Sequence, residues 1–497
     1  MINTTLKNFG FKHKAGILMP ISSLPSRYGI GSFGKEAYKF VDFLKETGQR
    51  CWQVLPLNPT SYGDSPYQSP ASIAGNPYYI DLELLFDKGL LTREELEGAE
   101  HDTERVDYGY LFNTRYEILR RAYSRFKRDR AFMAFCSKNS EWINDYALFM
   151  ALKVSNEYRP WYQWRDELRD YKKARLCSSE HEEECGFWRW LQYEFFSQWS
   201  DLVKYAHSKK ILIIGDMPIY VAHDSMDVWR APDQFMIDDE YQPIIVAGCP
   251  PDAFSDDGQL WGNPIYNWQR MEMDSYKWWR ERVGYAFRLY DILRIDHFRG
   301  FASYYAIPYG DENAKRGNWL KAPGMRLFDA IRTDYPNAKI IAEDLGLITD
   351  DVRELLRETG FPGMKVLQFA FSNDNNEYLP RMYDSENCVS YTGSHDSECT
   401  KSWHKSLSLE ERKRFNEECP REKGINATDA LITLIMKSRA NLAVIPMQDY
   451  LLLTNEEGRM NTPSLAAGNW QWRLKKNYFR KTLVEKVYKL TKSGKRV

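Results

Sequence analysis

Eight short apolar segments, most of them rich in β-branched or aromatic residues, recur along the whole of this 497-residue chain. Stretches with the periodicity of amphipathic helices separate several of them, at 35–47, 320–333, 349–359 and 427–439. A strand followed by a helix, repeated eight times, predicts an α/β fold of the parallel (β/α)8 TIM-barrel type. The predicted strands cover 16–23, 50–57, 211–219, 292–296, 339–343, 365–371, 388–391 and 442–447.

The uneven spacing of these strands indicates two additions to the barrel. Residues 85–208 are mostly helical in pattern and highly charged, so we predict a large helical insertion after strand 2. Residues 1–84 and 209–497 would then form the barrel. The segment 220–288 is rich in Pro, Gly, Asp and Trp and predicts a long loop region that covers the C-terminal mouth. Its aromatic content argues against disorder.

Composition excludes several classes of partner. The 68 basic and 69 acidic residues nearly cancel, which gives no electrostatic basis for binding nucleic acid or an anionic membrane. No apolar run approaches the ~18 residues of a membrane helix, and residues 1–14 lack the apolar core of a signal peptide. The eight cysteines form no Cys-x-x-Cys pair and are expected to be reduced thiols of a cytoplasmic protein.

Three of the apolar segments deliver a carboxylate where the strand ends or just after it: Asp296, Glu343 and Asp396. Catalytic groups of parallel barrels lie at the C-terminal ends of the strands. A pair of carboxylates there is what enzymes use to break glycosidic bonds. A salt bridge or a helix N-cap is the ordinary structural explanation for each one alone. Three in one part of the chain favour a site.

The surroundings of these carboxylates predict different roles. Side chains alternate along a strand, so Arg294 should lie beside Asp296 and favour its ionised form, as a nucleophile requires. Glu343 ends an apolar strand, and burial should raise its pKa, as a general acid requires. Asp396 would keep Glu343 protonated by repulsion between like charges. Asp344 should face away from the mouth and fits a structural role.

Seven motifs in fixed order carry a resemblance that spans almost the whole chain. They are LPSRYGIGSFG (24–34), QVLPLNPT (53–60), YGDSPYQS (62–69), GDMPIYV (215–221), GQLWGNP (258–264), RIDHFRG (294–300) and AEDLG (342–346). The sequence resembles the amylomaltases, or disproportionating enzymes, which are the 4-α-glucanotransferases of glycoside hydrolase family 77. One departure is visible, because the family usually reads Thr-His-Asp-Asn-Asp where this chain has Ser394 to Glu398.

The resemblance implies a retaining transfer of α-1,4-glucan segments to glucose or another glucan, with no metal or organic cofactor. It implies Asp296 as nucleophile, Glu343 as general acid/base and Asp396 as the carboxylate that stabilises the transition state. Substrate contacts are implied for Arg294, His297, His395, Asp216, Tyr62, Tyr67, Asp252, Gln259, Trp261, Asn263 and Asn469. It says nothing about the oligomeric state.

Two alternative functions stay open at the level of sequence. One is an α-glucan hydrolase of the amylase type, which uses the same chemistry but passes the intermediate to water. The other is a carbohydrate-binding barrel that has lost catalysis, against which the three retained carboxylates argue. Retention of configuration predicts that the carboxyl groups of Asp296 and Glu343 lie ~5–5.5 Å apart.

Overall fold

A computed structural model describes residues 11–61, 63–251, 256–463, 465 and 467–497. Tyr62 and Asp252, two of the implied substrate contacts, lie outside the described residues. The strands of the described part are β1 (Lys14–Leu18), β2 (Cys51–Gln53), β3 (Leu212–Met217), β4 (Ile245–Cys249), β5 (Gln259–Pro264), β6 (Ile292–Ile295), β7 (Ser303–Pro308), β8 (Asn318–Lys321), β9 (Ile340–Ala342), β10 (Gly363–Val366), β11 (Cys388–Tyr391) and β12 (Leu442–Pro446).

Eight of these strands form a parallel sheet in the order β10-β11-β12-β1-β2-β3-β6-β9. The Ala342 N–H donates to the Pro362 carbonyl at 3.0 Å and joins β9 towards β10, where the order begins and ends. Each barrel strand falls on one of the eight predicted segments or overlaps it. The prediction of a (β/α)8 barrel is therefore confirmed.

α-Helices stand between most successive barrel strands, whereas only short 3-10 helices lie between β10 and β11 among the described residues. In the described part the α-helices are α1 (Lys35–Glu46), α2 (Leu82–Asp87), α3 (Arg93–Gly98), α4 (Tyr108–Arg125), α5 (Arg130–Lys138), α6 (Ser140–Ser155), α7 (Asp166–Arg169), α8 (Tyr171–Leu176), α9 (Glu182–Ser208), α10 (Met226–Arg230), α11 (Trp268–Met273), α12 (Lys277–Leu289), α13 (Met325–Asp334), α14 (Asp350–Thr359), α15 (Thr400–Ser406), α16 (Leu409–Glu418), α17 (Ala427–Lys437), α18 (Met447–Tyr450), α19 (Asn455–Gly458) and α20 (Lys481–Ser493). None of the helices in these described ranges is long and apolar enough to cross a membrane.

The predicted helix at 320–333 begins later than its pattern suggested. Its first residues belong to the strand β8, and α13 begins only at Met325. Gly324 separates the two elements with a left-handed φ of 58°, a conformation in which neither a strand nor a helix continues. The Gly324 N–H donates to the Phe301 carbonyl at 2.9 Å, so a long-range contact decides this boundary.

The helices α2 to α9 lie between β2 and β3, the range for which the sequence predicts a helical insertion, and α9 also contacts the barrel. The Trp199 indole on α9 donates to the Leu289 carbonyl at 3.0 Å, and the Tyr205 hydroxyl donates to Asp42 on α1 at 2.7 Å. The C-terminal half of α9 therefore lies against the barrel as the helix between β2 and β3. Its N-terminal half, with the buried Trp188 and Trp190, packs within the insertion.

The segment 220–288 is more regular than the predicted loop region. It contains α10, β4, β5, α11 and α12, and α12 precedes the barrel strand β6. The strands β4 and β5 join β7 and β8 in a second, antiparallel sheet of order β5-β4-β7-β8. The partner of β4 on one side is β7, where Val246 pairs with Ile307, and a local sequence pattern does not show such a distant pairing.

Candidate active site

The ends of the neighbouring strands β3, β6 and β9 bring the charged residues together. In this parallel ladder Asp216 lies opposite Arg294, and Ile295 lies opposite Ala342. Asp296 and Glu343 follow directly, and their N–H groups donate to the Met217 and Ile295 carbonyls at 3.0 Å each. The regular register thus places both carboxylates at the same end of the barrel.

Arg294 is a buried guanidinium held between two carboxylates. Its Nη1 donates to Oδ1 and Oδ2 of Asp216 at 2.6 and 2.7 Å, and its Nη2 donates to Oδ1 of Asp296 at 2.8 Å. Burial alone would lower the pKa of Arg294, but Asp216 and Asp296 raise it, so the guanidinium stays charged. Arg294 and Asp296 lie side by side, as strand alternation predicted.

Glu343 has an environment opposite to that of Asp296. Its Oε2 accepts the His297 N–H at 2.7 Å and its Oε1 accepts the Leu345 N–H at 2.9 Å. His297 presents this N–H from a left-handed conformation, with φ 51° and ψ 49°. Burial, and then the charge of Asp296, raise the pKa of Glu343 to about 8. The like charge that acts on Glu343 is thus Asp296, and the prediction that Asp396 has this effect is wrong.

Asp396 is paired elsewhere. Its Oδ1 accepts a hydrogen bond from the Asn461 amide at 2.6 Å, and its Oδ2 lies 3.2 Å from Nε2 of His395. Burial alone would raise the pKa of Asp396, but His395 and Asn461 lower it to about 2. The same contact raises the pKa of His395 against the effect of burial. Asp396 is therefore an ionised carboxylate within the site.

Tyr67 connects the mouth loop 61–69 to this charged cluster. Its hydroxyl donates to Oδ2 of Asp216 at 2.8 Å. Its ring stacks on His395 with centroids 5.0 Å apart and lies 5.5 Å from the ring of Trp470. Three aromatic rings therefore form a wall of the site next to Asp396.

Trp261 forms a second wall, on the strand β5. Its ring meets His297 edge to face at 4.8 Å, and its indole N–H donates to Oε1 of Gln259 at 3.0 Å. Burial lowers the pKa of His297 to about 4, so this imidazole is neutral at physiological pH. Its buried Nε2 has no hydrogen-bond partner among the described residues.

Two of the implied substrate contacts have amide groups engaged within the protein. The Asn263 amide donates to the Val221 carbonyl at 2.8 Å and pairs with the Gln68 amide. The Asn469 amide closes its own loop by accepting the Thr462 N–H at 2.9 Å and donating to the Leu465 carbonyl at 2.8 Å. Asn469 thus holds the loop from which Asn461 and Trp470 reach the site.

Comparison with models of known protein families identifies the family of this chain. A model described as 4-alpha-glucanotransferase matches residues 19–478. The chain belongs to the 4-alpha-glucanotransferase family. The family resemblance and the enzyme class predicted from the sequence are thus confirmed.

Individual 4-alpha-glucanotransferases are similar over nearly their whole length. The enzyme from Clostridium butyricum is 47% identical over 485 residues, which cover 95% of this chain and 99% of that protein. The enzyme from Thermus thermophilus is 45% identical over 475 residues, which cover 92% of this chain and 94% of that one.

Two solved structures share the fold of this 4-alpha-glucanotransferase. An amylomaltase from Streptococcus agalactiae in complex with acarbose superposes with a TM-score of 0.94 and 39% identity, covering 97% of this chain and 99% of that one. The amylomaltase from Corynebacterium glutamicum has a TM-score of 0.79 at 17% identity, covers 100% of this chain and 77% of that one, and shows the fold alone.

Sequence reasoning missed three residues that shape this glucanotransferase site. They are Gln68, Asn461 and Trp470, which contact Asn263, Asp396 and Tyr67. Asn461 and Trp470 come from the segment after β12, which contains none of the seven motifs. Gln68 lies in the motif 62–69 directly after Tyr67, and this position in the sequence indicates a place near the site.

Asp344 has the structural role that alternation predicted. Its Oδ1 accepts the Met364 N–H of β10 at 2.6 Å, away from the cluster around Arg294. Met364 in turn places its sulfur 3.4 Å from Nε of Arg294. Among the described residues of this 4-alpha-glucanotransferase, no group of three His, Cys, Asp or Glu side chains could hold a metal ion.

Proposed function

We propose that this enzyme cuts an α-1,4-glucan and transfers the donor segment to the 4-OH of glucose or of another α-1,4-glucan, with net retention of configuration. The observation that carries the proposal is the contrast between two carboxylates at one end of the barrel. Asp296 accepts a hydrogen bond from a charged arginine, whereas burial raises the pKa of Glu343 to about 8. Such a pair can serve as nucleophile and general acid.

In the first step a maltooligosaccharide lies across the barrel mouth. The Asp296 carboxylate attacks C1 while the bond from C1 to the departing O4 breaks and O4 takes the proton of Glu343. A covalent glycosyl ester on Asp296 results, and Glu343 is left ionised. In the second step Glu343 removes the proton of the acceptor 4-OH, whose oxygen attacks C1 and displaces Asp296. Two inversions at C1 restore the α configuration.

The other charged and aromatic groups support this reaction. The ionised Asp396 offers negative charge and an acceptor to the sugar as positive charge develops on its ring. The neutral His297 and the paired His395 can bind sugar hydroxyls, while Arg294 and Asp216 hold the nucleophile. Tyr67 and Trp261 present rings, and Gln259 an amide, to the glucose units on either side of the cleaved bond.

Transfer prevails over hydrolysis when the acceptor sugar is held in line and water is excluded. We assign the exclusion of water to two segments. One is the loop 61–69, which carries Tyr67, and the other is the segment 220–288, which carries Trp261. An amylase-type hydrolase would use the same two carboxylates but would leave the glycosyl ester open to water.

Incubation of the purified protein with maltotriose alone tests the proposed function. We expect glucose and a ladder of longer maltooligosaccharides, with the number of reducing ends nearly constant. Chromatography of the products and a reducing-end assay measure both quantities. Rising reducing ends without longer products would identify a hydrolase. No change in the maltotriose would favour the catalytically silent carbohydrate-binding barrel.

A further inference from the structure

Two walls of the site stand on separate mouth segments. The loop 61–69 carries Tyr67, whose hydroxyl reaches Asp216 and whose ring stacks on His395. The strand β5 carries Trp261, whose ring lies against His297 next to Asp296. These two segments are far apart in the chain, so the distance between the walls depends on the contacts that join them.

A reciprocal amide pair joins the two segments. The Gln68 Nε2 donates to Oδ1 of Asn263 at 3.0 Å, and the Asn263 Nδ2 donates to Oε1 of Gln68 at 3.3 Å. The Gln68 Nε2 also lies 3.5 Å from the Trp261 carbonyl oxygen. Gln68 directly follows Tyr67, and Asn263 stands two residues after Trp261, so each amide is tied closely to one wall.

The pair is anchored on both sides. Asn263 is 4% exposed, and its Nδ2 also donates to the Val221 carbonyl after β3 at 2.8 Å. The Gln68 backbone carbonyl accepts the Ser61 hydroxyl at 2.9 Å at the start of the same loop. A hydrogen bond between amides defines both distance and direction, whereas apolar contact would allow the two segments to slide.

We propose that the Gln68–Asn263 amide pair determines specificity, because it sets the spacing of the Tyr67 and Trp261 walls and thereby the partition of the glycosyl ester between a sugar acceptor and water. This inference rests on the proposed transfer reaction. A sugar acceptor must be held in line with C1, and a displacement of about 1 Å can cost about 10²-fold in rate. Water must also attack C1 in line, but the walls do not hold it, so loosening the walls penalises transfer selectively.

The test compares the parent enzyme with Gln68→Met. This substitution keeps the length of the side chain and removes both hydrogen bonds of the amide pair. Maltotriose is the substrate, and the rates of transfer and of reducing-end formation are measured together. We expect the ratio of transfer to hydrolysis to fall about 10- to 100-fold, because the walls hold the sugar acceptor and do not hold water. Gln163→Met, the same substitution at an exposed glutamine outside both mouth segments, is the matched control and should keep the parent ratio.

The exchanged pair Gln68→Asn with Asn263→Gln separates this inference from a direct role of Gln68 in sugar binding. The exchange restores an amide on each side, so we expect it to bring the ratio of transfer to hydrolysis most of the way back to the parent value. A direct sugar contact by Gln68 would not be recovered. An unchanged ratio in Gln68→Met would overturn the inference while the proposed function stands. Absence of disproportionation by the parent enzyme would instead overturn the proposed function.

Discussion

Arg294 is the residue through which the charged groups of the site are connected. Its guanidinium donates hydrogen bonds to Asp216 and to Asp296, and its Nε contacts the sulfur of Met364. Removing one partner of a buried ion pair leaves an uncompensated charge, which costs about 3–5 kcal/mol. Arg294 therefore serves the folded barrel as well as the chemistry.

Asp296 and Glu343 have different proposed roles, so replacing each of them by glycine should give products of opposite anomeric configuration when azide is supplied. With an α-maltosyl fluoride donor, Asp296→Gly should yield the β-azide, because azide takes the place of the nucleophile. Glu343→Gly should yield the α-azide, because azide attacks the intermediate on Asp296. Transfer between maltotriose molecules should fall about 10²–10⁴-fold in Glu343→Gly. NMR identifies the anomers, and the same anomer from both variants would contradict the assigned roles.

The pKa of Glu343 predicts a pH limit for donor cleavage. In the proposed first step Glu343 donates a proton, so kcat/KM should fall as the pH rises through about 8. Asp296→Asn removes the like charge and should lower the pKa of Glu343, which NMR of ¹³C-labelled glutamate can follow. Glu343→Gln identifies the resonance, because it removes that signal. A Glu343 pKa unchanged by Asp296→Asn would show that the two carboxylates are not coupled.

At the scale of elements, a side chain helps to join β9 to β10. The Ala342 N–H reaches the Pro362 carbonyl, and the next inter-strand bond goes from the Met364 N–H to the carboxylate of Asp344. Gly363 makes room for this carboxylate, because a Cβ atom there would lie 2.5 Å from Oδ2 of Asp344. These contacts hold β9, the strand directly before Glu343, against β10.

Asp344→Asn should change how stability depends on pH. Burial raises the pKa of Asp344 from 3.8 to about 7. Between these values the unfolded chain releases a proton that the folded chain keeps, so the contribution of Asp344 to stability declines as the pH rises from about 4 to about 7. Asparagine keeps an acceptor for the Met364 N–H and carries no charge.

We therefore expect the unfolding free energy of Asp344→Asn, relative to the parent enzyme, to rise with pH up to about 7 and to stay level above it. Urea unfolding at a series of pH values measures this difference. Asp384→Asn, at an exposed carboxylate, is the control and should show no such trend. A difference independent of pH would show that Asp344 is ionised in the folded protein throughout.

At the scale of the whole molecule, the C-terminal segment joins the two ends of the barrel. Arg496 is fully buried, and its guanidinium donates to the carbonyls of Lys14 at 3.0 Å, Met436 at 2.8 Å and Ser438 at 2.9 Å. Lys14 begins β1, while Met436 and Ser438 lie in and just after the helix that precedes β12. One side chain thus connects the first barrel strand to the last strand–helix unit.

Arg496→Met should lower the unfolding free energy by about 2–4 kcal/mol, because several buried carbonyls lose their donor while the apolar stem is retained. Thermal unfolding followed by circular dichroism measures the effect. Lys495→Met, at the exposed neighbouring position, should leave the transition where it is. Equal transitions in both variants would mean that the segment after α20 contributes little to the fold.

Local sequence patterns are enough to predict the barrel, and the ordered motifs are enough to predict the family. The same patterns place three carboxylates at or just after the ends of strands. Buried strands, amphipathic helices and the acidic residues at or just after strand ends are local patterns, and a parallel barrel places all strand ends at one mouth whatever the details. Strand alternation likewise placed Arg294 beside Asp296 and turned Asp344 away. These inferences needed only the order of neighbouring residues.

Contacts between residues that are distant in the chain become visible only in the folded molecule. The second sheet, the Gln68–Asn263 pair, the bond from Asn461 to Asp396 and the buried Arg496 each join segments far apart in the chain. The pKa of Glu343 depends in the same way on burial and on Asp296, which directly follows another strand. Hydrogen bonds and charges act over a few ångströms of space, so a pattern along the chain predicts them only when the fold brings those residues together.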